Sequence, residues 1–168
     1  SGKNTLGKLI LNKFQKLREK TVLLDLDSYV EEFNPRWTWE NDQQKGIDQL
    51  KARKNIAKDI DSYLQENYRV IVIGERLLTK EDVSSFINRL EESSPVYLYH
   101  LSVPFEMREK RLHQRGQHSL IYLEKDQKDR DAVTDWPGYV YENKNSPEVD
   151  ALNLIKLIQR GKGLVSID

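Results

Sequence analysis

The chain has no cysteine, one methionine (Met107) and no apolar run near the roughly 18 residues that span a membrane. Without cysteine, disulfides, thiol catalysis and cysteine-ligated zinc are excluded together, and a reducing, cytoplasmic setting is the expectation. An excess of either charge is also missing, since 27 basic residues meet 27 acidic ones. No global positive field therefore recruits nucleic acid, and any anion site must be local. His100, His113 and His118 have no metal-ligand spacing and receive no chemical role. No signal-peptide pattern is visible in the residues given, and no repeat, linker or domain boundary is read from them. With 168 residues, 38% of them hydrophobic, the expectation is a single domain over 1–168, large enough to bury a core. The chain opens on Ser1, and with its only methionine at 107 the expectation is a start trimmed upstream.

What is present alternates between apolar strands and amphipathic helices. Leu6, Leu9, Ile10, Phe14 and Leu17 recur at helical spacing. Thr21 to Asp27 is a nearly continuous apolar run ending in Asp25-Leu26-Asp27, as a buried parallel strand reads, and strand alternation puts both acids on one face. Residues 28–44 lack clear periodicity and read as an irregular segment. A helix is predicted from about Lys45 to Asn67, with Ile47, Leu50, Ala57, Ile60 and Leu64 on its buried face. Arg69 to Gly74 is a second strand. Thr79 to Asp82 matches a capping box for a helix through Leu90. Pro95 to Leu101 is a third strand, and Pro104 suits the first turn of a helix running towards Gly116. Residues 117–135 form a polar excursion, Gly138 to Tyr141 a fourth strand, and Ser146-Pro147 starts a last helix carrying Ala151, Leu152, Ile155 and Ile158. Strands separated by helices predict an α/β fold, a parallel sheet with helices on both faces, and ligands beyond the C-terminal strand ends.

The chemistry-bearing residues cluster at those ends. Ser1-Gly2-Lys3-Asn4-Thr5 reads as the second half of a phosphate-binding loop of the form GxxxxGK(S/T), entering a helix whose free N–H groups and dipole favour phosphate. The loop's first glycine and the strand before it are expected upstream. Asp25 and Asp27 end one strand, Gly74-Glu75-Arg76 follows the next, and Asn143-Lys144-Asn145 follows the last. Blander alternatives remain at each place: a solvated helix lysine, a solvated strand end, and a basic helix face at Arg111 and Arg115.

The order Gly-Lys-x-Thr, helix, strand ending Asp-Leu-Asp, long helix, strand ending in Gly, then Arg111 and Arg115 before a polar excursion resembles the P-loop small-molecule kinases. It is most similar to the shikimate kinase, adenylylsulfate kinase, chloramphenicol phosphotransferase and zeta toxin types. The resemblance implies a three-layer P-loop fold with its first strand missing from the chain. It also implies transfer of the γ-phosphoryl group of ATP, with Mg²⁺, to a hydroxyl of a small-molecule acceptor. On these positions it implies nucleotide binding by Ser1, Gly2, Lys3, Asn4, Thr5, Arg111 and Asn145, with Lys3 on the β- and γ-phosphates. Asp25 and Asn4 would serve the metal, Asn4 standing where the motif usually has a hydroxyl residue. Asp27 would orient or deprotonate the acceptor hydroxyl, and Lys3, Asp27 and Arg115 would be catalytic. Arg36, Arg53 and Arg76 are candidates for an anionic group on the acceptor, Trp37 and Trp39 either wall that site or pack a loop, and 117–135, with Arg130, would be a lid. A monomer or homodimer without a membrane partner is expected. Two other readings stay open: a nucleotide-binding regulatory module without kinase activity, and a kinase of polynucleotide ends.

Overall fold

The computed structural model describes residues 2–103, 106, 107, 109, 110 and 127–165. Helix α1 (Lys3–Lys16) buries Leu6, Gly7, Ile10 and Phe14, one stripe at helical spacing. Leu17 falls past the helix end and is 54% exposed, so the stripe stops one turn earlier than its spacing suggests. The missing side chain of Gly7 lets α1 settle on the strands beneath, since a Cβ there would stand 3.2 Å from Leu23 Cδ1 and 3.5 Å from Ile73 Cγ2.

Those strands, β1 (Thr21–Asp25) and β2 (Arg69–Ile73), pair in parallel with Thr21 opposite Arg69 and Asp25 opposite Ile73. Their C-terminal ends therefore share one edge. Here the structure corrects two expectations. The strand stops at Asp25, and residues assigned to an irregular segment form helix α2 (Leu26–Phe33). Asp25 is the residue that turns strand into helix: it keeps extended geometry (φ −113°, ψ 116°) while its carboxylate accepts a hydrogen bond from the Asp27 N–H. Asp27 thus lies in the first turn of α2, and the strand alternation that put both acids on one face does not apply. Leu26 and Val30, four apart, are the buried stripe of this helix.

A 3₁₀ turn (Trp37–Trp39) leads to helix α3 (Asp42–Gln65), capped by Asn41. Its buried face is Asp48, Ala52, Ile56, Ala57, Ile60 and Asp61, whereas Ile47 and Leu50, expected inside, are 56% and 47% exposed. The two buried acids hold the inward face because each is satisfied. Asp48 accepts from Asn34 and Gln44, and Asp61 from the backbone N–H groups of Glu91 and Glu92.

Helix α4 (Lys80–Asn88) opens on the expected capping box, with Asp82 N–H donating to Thr79 Oγ1 and Thr79 N–H to Asp82 Oδ2. Strands β3 (Tyr99–Ser102) and β4 (Tyr139–Glu142) form a second parallel pair, Tyr99 opposite Tyr139 and Ser102 opposite Glu142. Helix α5 (Pro147–Gln159) starts with Ser146 as cap and Pro147 in the first turn, as read from the sequence. It buries Asp150, Ala151, Leu154 and Ile155, while Leu152 is 42% exposed. The described residues divide into two compact units. One holds Lys3–Arg76 and Ser85–Ser94, with the β1–β2 pair; the other holds Gly2, Leu77–Ser84 and the described residues from Pro95 onward, with the β3–β4 pair. The fold is mixed α/β with short parallel strands. Among the described residues no helix is long and apolar enough to cross a membrane.

Candidate functional site

In the first unit, four chemistry-bearing positions meet at the C-terminal ends of β1 and β2. Lys3 occupies the first turn of α1, and its Nζ stands 3.8 Å from Asp27 Oδ2, with the side chains 42% and 38% exposed. An ion pair this exposed contributes at most about 1 kcal/mol to stability, so its interest is chemical. Burial pushes the Asp27 carboxyl above its ordinary range, the Lys3 ammonium pulls it back, and the neighbouring Asp25 and Glu31 charges add to the upward push.

Asp25 is fixed by its capping bond to the Asp27 N–H, 3.0 Å long. The same oxygen lies where Gly74 allows it. Gly74 has φ +89°, and a Cβ there would be 3.0 Å from Asp25 Oδ1 and 3.3 Å from the Leu26 backbone nitrogen. Any other residue would carry both an unfavourable φ and a tight approach that the cap would have to yield to by a few tenths of an ångström. The glycine that ends β2 thus shapes the strand-to-helix corner that ends β1.

The residue after it, Glu75, is the one the sequence did not single out by role. Its side chain is only 6% exposed, and Oε2 accepts from Arg53 Nε on α3 at 3.2 Å. Its other oxygen, Oε1, is buried without a hydrogen-bond partner, as is Trp37 Nε1 on the 3₁₀ turn. A buried polar atom left unmatched costs about 1–3 kcal/mol. The sequence signal was position alone, directly beyond a strand-ending glycine. Arg53, expected to grip an anion, instead has Glu75 beside it. Arg36 and Arg76 are exposed, with the Arg36 N–H donating to Asn34 Oδ1. Asn4 and Thr5 are exposed in the first turns of α1.

The second unit holds the remaining described candidates. Gly2 takes φ +80°, with Asn143 Nδ2 3.4 Å from where its Cβ would be. Asn145 Nδ2 donates to Asp150 Oδ1, which also accepts from Tyr141 OH at 2.6 Å. Asp150 is fully buried, so the loop after β4 is tied down from below. Ser1, Arg111, Arg115 and residues 117–126 of the expected lid lie outside the described residues; of the rest, Gln127 to Asp131 is helical.

In the first unit, Lys3, Asp25 and Asp27 define a class of site: hard oxygen donors and one ammonium at the C-terminal end of a parallel strand pair, beside a helix N-terminus. Among the described residues no group of three or more His, Asp or Glu could cage a metal by itself. Neither a protein-family model nor a curated protein matches the chain.

Proposed function

We propose that the chain is a P-loop kinase that moves the γ-phosphoryl group of ATP to a hydroxyl of a small-molecule acceptor. The observation that carries the reading is the meeting of Lys3, at the start of α1, with Asp27, held by Asp25 at the start of α2. In this reading the fold is a three-layer P-loop sheet. The protein works in the cytoplasm as a monomer or homodimer. Ser1, Gly2, Asn4 and Thr5 cradle phosphate, and Arg111, Arg115 and Asn145 complete nucleotide binding.

The residues fit magnesium carried in on the nucleotide rather than caged by protein. Asp25 and the Asn4 amide are hard oxygen donors, and an ion of this kind keeps mostly phosphate and water oxygens. When bound, it neutralises charge on the transferring phosphoryl group. Lys3 adds to that neutralisation on the β- and γ-phosphates. In the transfer, the acceptor oxygen bonds to the γ-phosphorus, the bond from that phosphorus to the β,γ-bridging oxygen breaks, ADP leaves, and the hydroxyl proton passes to Asp27. The pairing of Lys3 with Asp27 couples these roles. Phosphates that draw Lys3 away remove the charge that lowers Asp27, whose proton affinity then rises as the acceptor needs a base.

The test is a transfer screen with labelled ATP against sugars, nucleosides, antibiotics and oligonucleotides, beside an ATP titration of the parent and Lys3→Ala. Labelled product, and loss of most ATP affinity in the variant, is the expected result. Tight Lys3-dependent binding without transfer to any acceptor would indicate a regulatory nucleotide-binding module instead. Labelled oligonucleotide would indicate the polynucleotide-end kinase. ATP affinity unchanged by Lys3→Ala removes the phosphate-loop reading altogether.

A further inference from the structure

In the second unit one histidine is almost wholly enclosed. His100 on β3 is 7% exposed, and its Nε2 stands 2.6 Å from the carbonyl oxygen of Pro137, in the bend that enters β4. A carbonyl oxygen only accepts, so Nε2 carries the proton and a second proton can arrive only at Nδ1. The Trp136 ring meets the imidazole edge-on, with ring centroids 4.7 Å apart and planes at 64°. Pro137 is buried, Trp136 is half-buried, and the two residues that follow tie the bend to Leu98, just before β3. The Tyr139 N–H donates to Leu98 O at 2.9 Å, and Gly138, at φ +80°, comes so near that a Cβ would lie 2.4 Å from the same oxygen. The bend is thus held at Leu98 by backbone and at His100 by an imidazole.

We propose that His100 is an acid-released latch: neutral, it holds Trp136 and Pro137 against β3, and protonated it lets them go. The bond to Pro137 survives protonation, since Nε2–H remains a donor, so release has to come from the added charge. That charge would sit where Trp136 and Pro137 keep water away, and an ionised group is costly there. Among the described residues the charge that acts on the imidazole is the Arg130 guanidinium, of the same sign, and no carboxylate offsets it. Asp135, beside Trp136, has its side chain 80% exposed and 3.7 Å from Lys80 Nζ, and Val140, opposite His100 across the strand pair, is apolar. Burial, the largest cause, and Arg130 accordingly hold His100 below its ordinary 6.5, against the opposing pull of the Pro137 bond. With Trp136 away, water reaches the ring and the proton binds at the ordinary value. Docking is therefore complete above about pH 6.5 and is lost as pH falls through the lower value of the docked form. The latch is independent of the kinase reading.

The full chain, labelled with 5-fluorotryptophan, is followed by fluorine NMR from about pH 8 to about pH 5, beside a titration of the His100 ring by nitrogen NMR. Trp136→Phe assigns the Trp136 signal among those of the 3 tryptophans, and circular dichroism at each pH reads whether the chain stays folded. The Trp136 signal is expected to pass from its docked position to that of an exposed indole as His100 titrates, while Trp37 and Trp39 stay in place. The ratio of released to docked form should rise roughly tenfold for each unit by which the docked pKa lies under 6.5. His100→Gln keeps an N–H donor for Pro137 and cannot take a charge, so in that variant the Trp136 signal should ignore pH. Should His100→Gln not fold, Arg130→Gln takes its place: with the like charge gone, protonation in the docked form is easier, and less of the bend should release at a given acid pH. A Trp136 signal that stays put over the whole range overturns the inference, as does one that moves as before in His100→Gln or, where that variant does not fold, in Arg130→Gln. A His100 titration above 6.5 overturns it too, because acid would then tighten the bend. So does loss of the folded spectrum at the same midpoint, since the release would then be global unfolding.

Discussion

Asp27 is the residue on which burial and charge compete most visibly. Burial raises its pKa and Lys3 lowers it, the two side chains being about two-fifths exposed. If Asp27 is the base, the protonated form is inactive, so kcat/KM falls as pH drops through its pKa. Because that pKa lies above the ordinary 3.8, the acid limb should too. Salt screens the Lys3 charge, and the weaker opposing charges of Asp25 and Glu31, at this exposed pair but leaves burial untouched. The limb should therefore move to higher pH as ionic strength rises, the opposite of what loss of a repulsive neighbour would give. Carbon-detected NMR of the Asp27 carboxyl, titrated at low and high salt, reads the same shift without turnover. Asp27→Asn should lower kcat by ~10²–10⁴-fold with ATP affinity near that of the parent. A limb and a carboxyl titration that both ignore salt would disconnect Lys3 from Asp27.

At the scale of elements, the corner from β1 into α2 gives Asp25 a capping duty, and substitution can separate it from the metal-donor duty proposed above. As an N-cap it needs a side-chain oxygen, which Asn supplies as well as Asp; as a donor to a metal on the nucleotide it needs its charge. Asp25→Asn should leave the melting temperature near that of the parent while activity demands much more Mg²⁺. Asp25→Ala should in addition cost about 0.5–2 kcal/mol of stability, the usual range for a lost cap. If Asn and Ala behave alike in both measurements, the capping bond has no energetic weight. This corner was also the least legible part of the sequence. Leu26 is apolar because α2 buries it, yet one residue beyond Val22-Leu23-Leu24, across Asp25, it reads as a continuation of the strand's apolar run. The long helix was legible in extent but not in facing. Asp48 and Asp61 look like surface residues until Asn34 and the Glu91 and Glu92 backbone are placed beside them, and those contacts are remote in sequence; only Gln44, one turn before Asp48, is local. By contrast, Thr79-Asp82 and Ser146-Pro147 announced their helices because capping chemistry is local. At the site, Lys3, Asp25 and Asp27 were legible from their places beside predicted strand ends, while the partnering of Arg53 by Glu75 depends on how α3 faces β2.

For the molecule as a whole, the division into two compact units predicts unequal stability along the chain. Each unit has its own two-stranded parallel pair, and a pair of that size is stable only through what packs on it. Among the described residues the first unit buries Leu6, Ile10, Phe14, Leu24, Leu26, Val30, Ala52, Ile56, Ala57, Ile60 and Phe86. The second buries Val83, Val103, Tyr141, Ala151, Leu154 and Ile155, and sets the charge-bearing Asp150 among them. In β4, Tyr139, Val140 and Glu142 are exposed, whereas no residue of β1 is; buried apolar area is the main stabilising quantity, at about 25 cal/mol per Å², so the β1–β2 pair should open last. Native-state hydrogen exchange in rising denaturant should resolve two sets of amides. Those of β3, β4 and α5 should exchange through openings of lower free energy and reach their limit first. Those of α1, β1, β2 and α3 should follow at the free energy of global unfolding. Asp150→Asn extends the test, because it removes a buried carboxylate while keeping an oxygen for Tyr141 and Asn145, and it should alter protection in β3, β4 and α5 only. A single exchange class covering β1, β2, β3 and β4 alike would mean that the chain unfolds as one cooperative body and that the two units have no separate energetic existence.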